Sequence, residues 1–142
     1  MADHYRKAAR AAVRAALEAE PRFAALAWRT VLHKGPGVDQ LPEGTVKTLS
    51  ERGDLVDPRT VLRAFRVVVA IRRAGECCED DLDDDQEAIE PLALAALVPF
   101  GDLVTYTEAQ FDFDSTGTVP IGMLALTFTV QRYTKPGATT QD

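Results

Sequence analysis

From Gly122 to Arg132 the side chains alternate between two characters. The even positions are Gly122, Leu124, Leu126, Phe128, Val130 and Arg132; the odd ones are Met123, Ala125, Thr127, Thr129 and Gln131. A strand sends successive side chains to opposite faces, so this pattern describes one long strand with an apolar face and a small, polar face. Thr, Phe and Val also favour extended backbone. A shorter arm around Tyr106–Phe113 precedes it, and Ser115-Thr116-Gly117 supplies turn chemistry, so Phe111–Tyr133 reads as a hairpin. The apolar face needs a partner layer, which the rest of the chain has to provide.

Arg59 to Arg73 repeats the pattern. Its odd face, Val61, Arg63, Phe65, Val67, Val69, Ile71 and Arg73, is the more apolar and is expected in the core. Arginines near the strand ends fit a solvated edge that blocks unwanted pairing, or contact with an acidic neighbour. Thr45–Ser50 reads as a further strand, joined to this one by a connection over Glu51–Pro58 containing Gly53 and Asp54.

Two amphipathic helices supply the second layer. In the first, from Asp3 to Glu20, Tyr5, Ala8, Ala9, Ala12, Val13, Ala16 and Leu17 recur at helical spacing, opposite Lys7, Arg10, Arg14 and Glu18. Asp3 suits an N-cap and Pro21 ends the helix. A basic membrane-surface helix is the alternative, but alanine anchors poorly in lipid. The second helix is expected over Asp83–Val98, burying Ile89, Leu92, Ala93, Ala96 and Leu97. Pro91 then falls in an early turn or kinks the helix, and Pro99 and Gly101 close it. Between the helices, Phe23–His33 fits either a short helix or a first strand, with Trp28, Val31 and Leu32 buried in both cases. Gly35-Pro36-Gly37 and Leu41-Pro42-Glu43-Gly44 mark loop. The resulting class is α+β: a mixed, mainly antiparallel sheet with two helices packed on one face. At 142 residues it forms a single domain, with residues 1–2 and 135–142 expected to be flexible.

Charge is divided along the chain. Residues 1–75 carry 14 Lys+Arg against 8 Asp+Glu, a net of +6; residues 76–142 carry 2 against 14, a net of −12. Opposite halves can neutralise each other within one fold, or dock the basic side of one subunit on the acidic side of another. The basic residues are scattered and lack interleaved exposed aromatics, which argues against tight nucleic-acid binding. No apolar run reaches the roughly 18 residues of a membrane helix, and residues 1–12 lack a signal-peptide core, so a cytosolic product is expected.

Candidate chemistry is sparse. Glu79, Asp80, Asp81, Asp83, Asp84, Asp85, Glu87 and Glu90 fall within twelve positions, which raises a divalent-metal site. The run has no glycine for an EF-hand turn, and a two-metal site draws carboxylates from separate elements. A loop entering a helix N-terminus accounts for it as well. Cys77 and Cys78 are adjacent and read as strand-end or loop thiols without a redox role. His4 falls in the first helix, and His33 has no second histidine or cysteine nearby. Asp112 and Asp114 share one face of the hairpin, which is commonplace at a turn. No nucleophile elbow, phosphate-binding loop, dinucleotide fingerprint or HExxH occurs, so no catalytic residue, metal or cofactor is expected.

Three stretches carry a resemblance. They are LPEGTVKTLSERGDLVDPRTVLRAFRVVVAIRRAG, DDDQEAIEPLALAALVPFGDLV and FDFDSTGTVPIGMLALTFTVQRY, spanning Leu41 to Tyr133. In element order and residue type they resemble the tail terminator (minor tail protein U) family of long-tailed bacteriophages. The resemblance implies a structural virion protein that forms a homohexameric ring on the completed tail tube. Such a ring stops tube polymerisation and presents the joining surface for the head-completion or connector protein. It also implies partners in the tail tube protein and in copies of itself, DNA passing through the lumen without specific binding, and a place at the head-proximal end of the virion tail, after assembly in the host cytoplasm. It implies no membrane partner. Candidate subunit or lumen residues are then Arg52, Asp54, Arg63, Arg66, Asp80, Asp81, Asp83, Asp84 and Asp85, with the Glu79–Glu87 run or the Glu51–Asp57 loop facing lumen or neighbour. Thr127, Thr129 and Gln131 form the candidate tube or ring face. A phage neck or head-completion protein, or a small metal-dependent hydrolase built on the acidic run, are the alternatives.

Overall fold

A computed structural model of the chain describes residues 4–32, 40–115 and 117–140. Asp3, His33, the 35–37 loop and Thr116 lie outside the described residues. Two helices, α1 (Tyr5–Glu18) and α2 (Cys78–Leu97), pack on a five-stranded sheet. The strands are β1 (Ala27–Trp28), β2 (Glu43–Asp57), β3 (Thr60–Ala74), β4 (Leu103–Asp114) and β5 (Ile121–Thr134), in the order β1-β2-β3-β5-β4. The short β1 runs parallel to β2 and every other pairing is antiparallel, so the class is α+β with a mixed, mainly antiparallel sheet.

The two long alternating stretches become neighbours. β3 and β5 pair along their full length, with Phe65 opposite Val130, Val67 opposite Phe128, Val69 opposite Leu126 and Ile71 opposite Leu124. All eight are buried under the helices, as their alternation requires. Each large apolar side chain withdrawn from water stabilises the fold by about 1.5–3 kcal/mol. α1 covers the β2 side of this face through Tyr5, Ala9, Val13 and Leu17, all without solvent exposure. His4 caps α1, its Nδ1 accepting from the Arg6 backbone N–H at 3.2 Å. The Tyr5 N–H donates to the Thr139 carbonyl at 3.0 Å, which ties the end of the described chain to its start.

Several elements differ from their sequence boundaries. β2 extends to Asp57, so Glu51–Asp57 is not a loop but the outer half of a long hairpin arm. Its register with β3 shifts at Leu49, a bulge that lets the strand continue. β3 is a central strand rather than an edge, and Arg63, Arg72 and Arg73 are engaged within the fold while Arg66 stays exposed. α2 begins at Cys78, five residues earlier than expected, so the acidic run lies in the helix and not before it. Cys78 is buried in the first turn of α2 and Cys77 is exposed just before it. Pro91 sits on the exposed side past the middle of α2, not in an early turn. The 23–32 stretch is mostly irregular around β1. Trp28 is half-buried against Gly44, where an added Cβ would lie 2.8 Å from the indole ring. Val31, expected in the core, is 77% exposed because it follows the end of β1.

Candidate functional site

α2 turns one stripe inward at three- and four-residue spacing: Cys78, Leu82, Asp85, Ile89, Ala93 and Leu97. Asp85 is therefore fully buried, and it is not an interface residue as the run of carboxylates suggested. Arg73 donates to it from Nε at 2.6 Å and from Nη2 at 2.9 Å, and Arg22 from Nε at 2.8 Å. Two guanidiniums compensate the desolvated carboxylate and join α2 to the end of β3 and to the turn after α1. The signal was present in the sequence, since Asp85 stands four residues before Ile89 and three after Leu82.

A second buried carboxylate escaped the sequence reading. Glu43 opens β2 and accepts from Arg29 Nε at 2.8 Å and from Arg72 Nη1 at 3.4 Å. Arg72 and Arg73 alternate across β3 and so hold Glu43 on one face of the sheet and Asp85 on the other.

The remaining acidic residues of α2 face water. Asp80, Asp84 and Glu87 follow one another along the exposed stripe with Asp83 beside them, while Asp81 is half-buried and its carbonyl accepts from Arg22 at 2.9 Å. Arg63 is half-buried and engaged by Thr134 at 2.8 Å and Glu51 at 3.5 Å, so its charge is used within the subunit. Arg52 and Asp54 extend from the outer half of β2 and pair loosely at 3.3 Å; Arg66 is exposed on the helix-free face.

That helix-free face is less uniform than the alternation implied. Thr127 is only 5% exposed, between Val68 across the β3 pairing and Glu108 on β4. Segment 30–32 also lies over part of this face. Thr45 donates to the Thr30 carbonyl at 3.1 Å, and Val31, Leu32, Val68, Ala70 and Met123 help line a depression of about 480 Å³. Thr129, half-buried, meets the Thr107 hydroxyl at 2.6 Å beside Arg66 and half-buried Gln131. The open part of the proposed face is thus Arg66, Thr129 and Gln131, without Thr127.

The fold converts the charge division along the chain into a division across the sheet. α1, with Arg6, Lys7, Arg10 and Arg14, lies on the β2 side, and Arg10 reaches the Thr48 hydroxyl of β2 at 2.7 Å. α2, with its acidic stripe, lies over β5 and β4, and β4 adds Glu108 and Asp112. Each flank ends in an open strand edge. Among the described residues, the outer edge of β2 beyond Gly44 and that of β4 from Leu103 to Phe113 have no strand paired to them. Both edges carry exposed apolar side chains: Leu49, Leu55 and Val56 on β2, and Tyr106, Phe111 and Phe113 on β4. The Phe111 and Phe113 rings stack with centroids 6.4 Å apart. Among the described residues, no group of three or more His, Cys, Asp or Glu side chains could hold a metal ion, and no helix is long and apolar enough to cross a membrane.

Neither a protein-family model nor a curated protein sequence matches the chain. Among solved structures, the type 4 fimbrial biogenesis protein PilO from Pseudomonas aeruginosa aligns with 63% of this chain and 54% of its own, at 13% identity and a TM-score of 0.25. The chain thus spans about half the length of that protein, and a likeness of this size carries no argument about function.

Proposed function

We propose that the protein is a ring-forming tail terminator of a long-tailed bacteriophage. In this reading it caps the completed tail tube, ends polymerisation of the tube protein and offers the surface on which the head-completion or connector protein docks. It works by occupying positions and not by catalysis, uses no cofactor, and lets DNA pass through its lumen without specific contacts. It sits at the head-proximal end of the tail, assembled there in the host cytoplasm.

The observation that carries this reading is the charge division across one sheet, basic on α1, which lies over β2, and acidic on the α2–β4 flank. A closed ring is built from heterologous contacts, in which one face meets a different face of the next copy. Opposite flanks of opposite charge suit that arrangement and disfavour a two-fold dimer, which would bring like charges together. Asp80, Asp83 and Asp84 then line the subunit boundary or the lumen, where negative charge also repels DNA. Arg66, Thr129 and Gln131 contribute the face toward the tube.

The test is electron microscopy of tail tubes incubated with the protein, together with native mass spectrometry. The expected result is density at tube ends only, arrested tube growth and a six-copy assembly. Tubes that keep growing with bare ends would refute the reading.

A further inference from the structure

We infer that copies of this chain join by pairing the outer edge of β4 with the outer edge of β2 of the next copy, held in register by two ion pairs, Glu108 with Arg52 and Asp112 with Lys47. The inference rests on the ring reading for its occupant, a second copy, and on the strand geometry for everything else.

Strand direction alternates across β2-β3-β5-β4, because each neighbouring pair is antiparallel. Continuing the sheet into a second copy therefore sets β4 antiparallel to β2, with the helices of both copies on the same side. All four charged residues are exposed and share the helix-free face. Glu108 and Asp112 stand opposite Thr127 and Met123 of β5, four ladder positions apart. Lys47 and Arg52 stand opposite Val68 and Ala64 of β3, also four ladder positions apart, although five residues separate them in the chain. The bulge at Leu49 absorbs the extra residue. Two acids and two bases at equal spacing on opposite edges satisfy one antiparallel register. That register is staggered, as a sheet closing on itself requires.

Charge also decides against the alternatives. Pairing β4 with β4 would set Glu108 and Asp112 against like charges, which destabilises a sheet. Within the subunit, the loose Arg52–Asp54 pair and the 3.5 Å contact of Gln110 with Glu108 are surface interactions that a neighbour can displace.

A charge swap tests the pairing. One variant carries Glu108→Lys and Asp112→Lys, the other Lys47→Glu and Arg52→Glu, and circular dichroism establishes that each folds. By native mass spectrometry each alone is expected to run as a monomer, since the facing positions 47, 52, 108 and 112 then all bear one sign. An equimolar mixture is expected to restore the ring with the two variants alternating, a composition that the masses identify. Assembly of either variant alone to the wild-type state overturns the pairing, as does a wild-type chain that stays monomeric at its highest soluble concentration. The terminator reading fails separately. Protein that assembles through these edges but never binds tube ends refutes that reading and supports the pairing. Six-copy rings unaffected by the swaps refute the pairing alone.

Discussion

Arg73 and Asp85 form a two-pronged pair, Nε to Oδ2 at 2.6 Å and Nη2 to Oδ1 at 2.9 Å, that anchors the acidic helix to the central strand of the sheet. One step back along β3, Arg72 reaches Glu43 on the opposite face. The two carboxylates are fully buried, and each meets a second arginine, Arg22 or Arg29. This end of the molecule is held by charge-assisted hydrogen bonds where the rest is held by apolar packing.

Replacing Asp85 with Asn leaves two guanidiniums facing a neutral amide. Breaking a buried pair in this way costs about 3–5 kcal/mol. The lower end is expected, about 3 kcal/mol, because the Arg22 side chain keeps 32% of its surface in water. Urea unfolding should show a lower midpoint with an unchanged slope. Asp84→Asn, one position away and exposed, should stay within about 0.5 kcal/mol of wild type. Equal losses at both positions would contradict the inward placement of Asp85.

The exposed acids should matter for assembly and little for folding. Asp80, Asp83 and Asp84 changed together to Asn lose favourable charge in the first turns of α2 but also relieve mutual repulsion. Fold stability is expected to change by no more than about 1 kcal/mol. Ring formation, followed by light scattering at low salt, is expected to weaken, and the difference should fade near 1 M salt, where the screening length is about 3 Å. Assembly identical to wild type at low salt would remove this stripe from the boundary and the lumen.

Gly101 ends the turn after α2 against β5. A Cβ there would lie 2.5 Å from Val130 Cγ1 and 2.7 Å from the Gln131 carbonyl oxygen. The backbone oxygen belongs to a paired strand and cannot retreat. Gly101→Ala is expected to lose about 1–3 kcal/mol through overpacking. A thermal midpoint equal to wild type would show that the turn relaxes freely.

The N-cap of α1 should make stability depend on pH. Partial burial, then the charge of Arg6, lowers the pKa of His4 from its ordinary value of 6.5. Between the two values the unfolded chain binds more protons, so stability is full above about pH 6.5 and declines as pH falls toward the folded value. Protonation also removes the Nδ1 lone pair that caps the helix. His4→Asn, which keeps a cap acceptor without a titrating ring, should flatten the stability profile over pH 5–7. An unchanged profile would assign the dependence to other groups.

Local periodicity determined much of this protein without reference to its fold. The α1 stripe, the alternation of β3 and β5 and the covering of one sheet face by two helices follow from which side of a helix or strand is apolar. That rule is local and depends only on a residue's neighbours in the chain. The same rule, carried one turn further back from Ile89, would have placed Asp85 inside. It was obscured because eight carboxylates within twelve positions look alike until something tells them apart, and Arg22 and Arg73 do so from distant points in the chain. Only the tertiary structure decided that Thr127 is covered by strands on both sides. The extension of β2 to Asp57 likewise depends on β3 lying beside it. Strand order, too, set the basic and acidic halves on opposite flanks. Each of these outcomes rests on contacts between residues far apart in sequence, which no periodicity along the chain encodes.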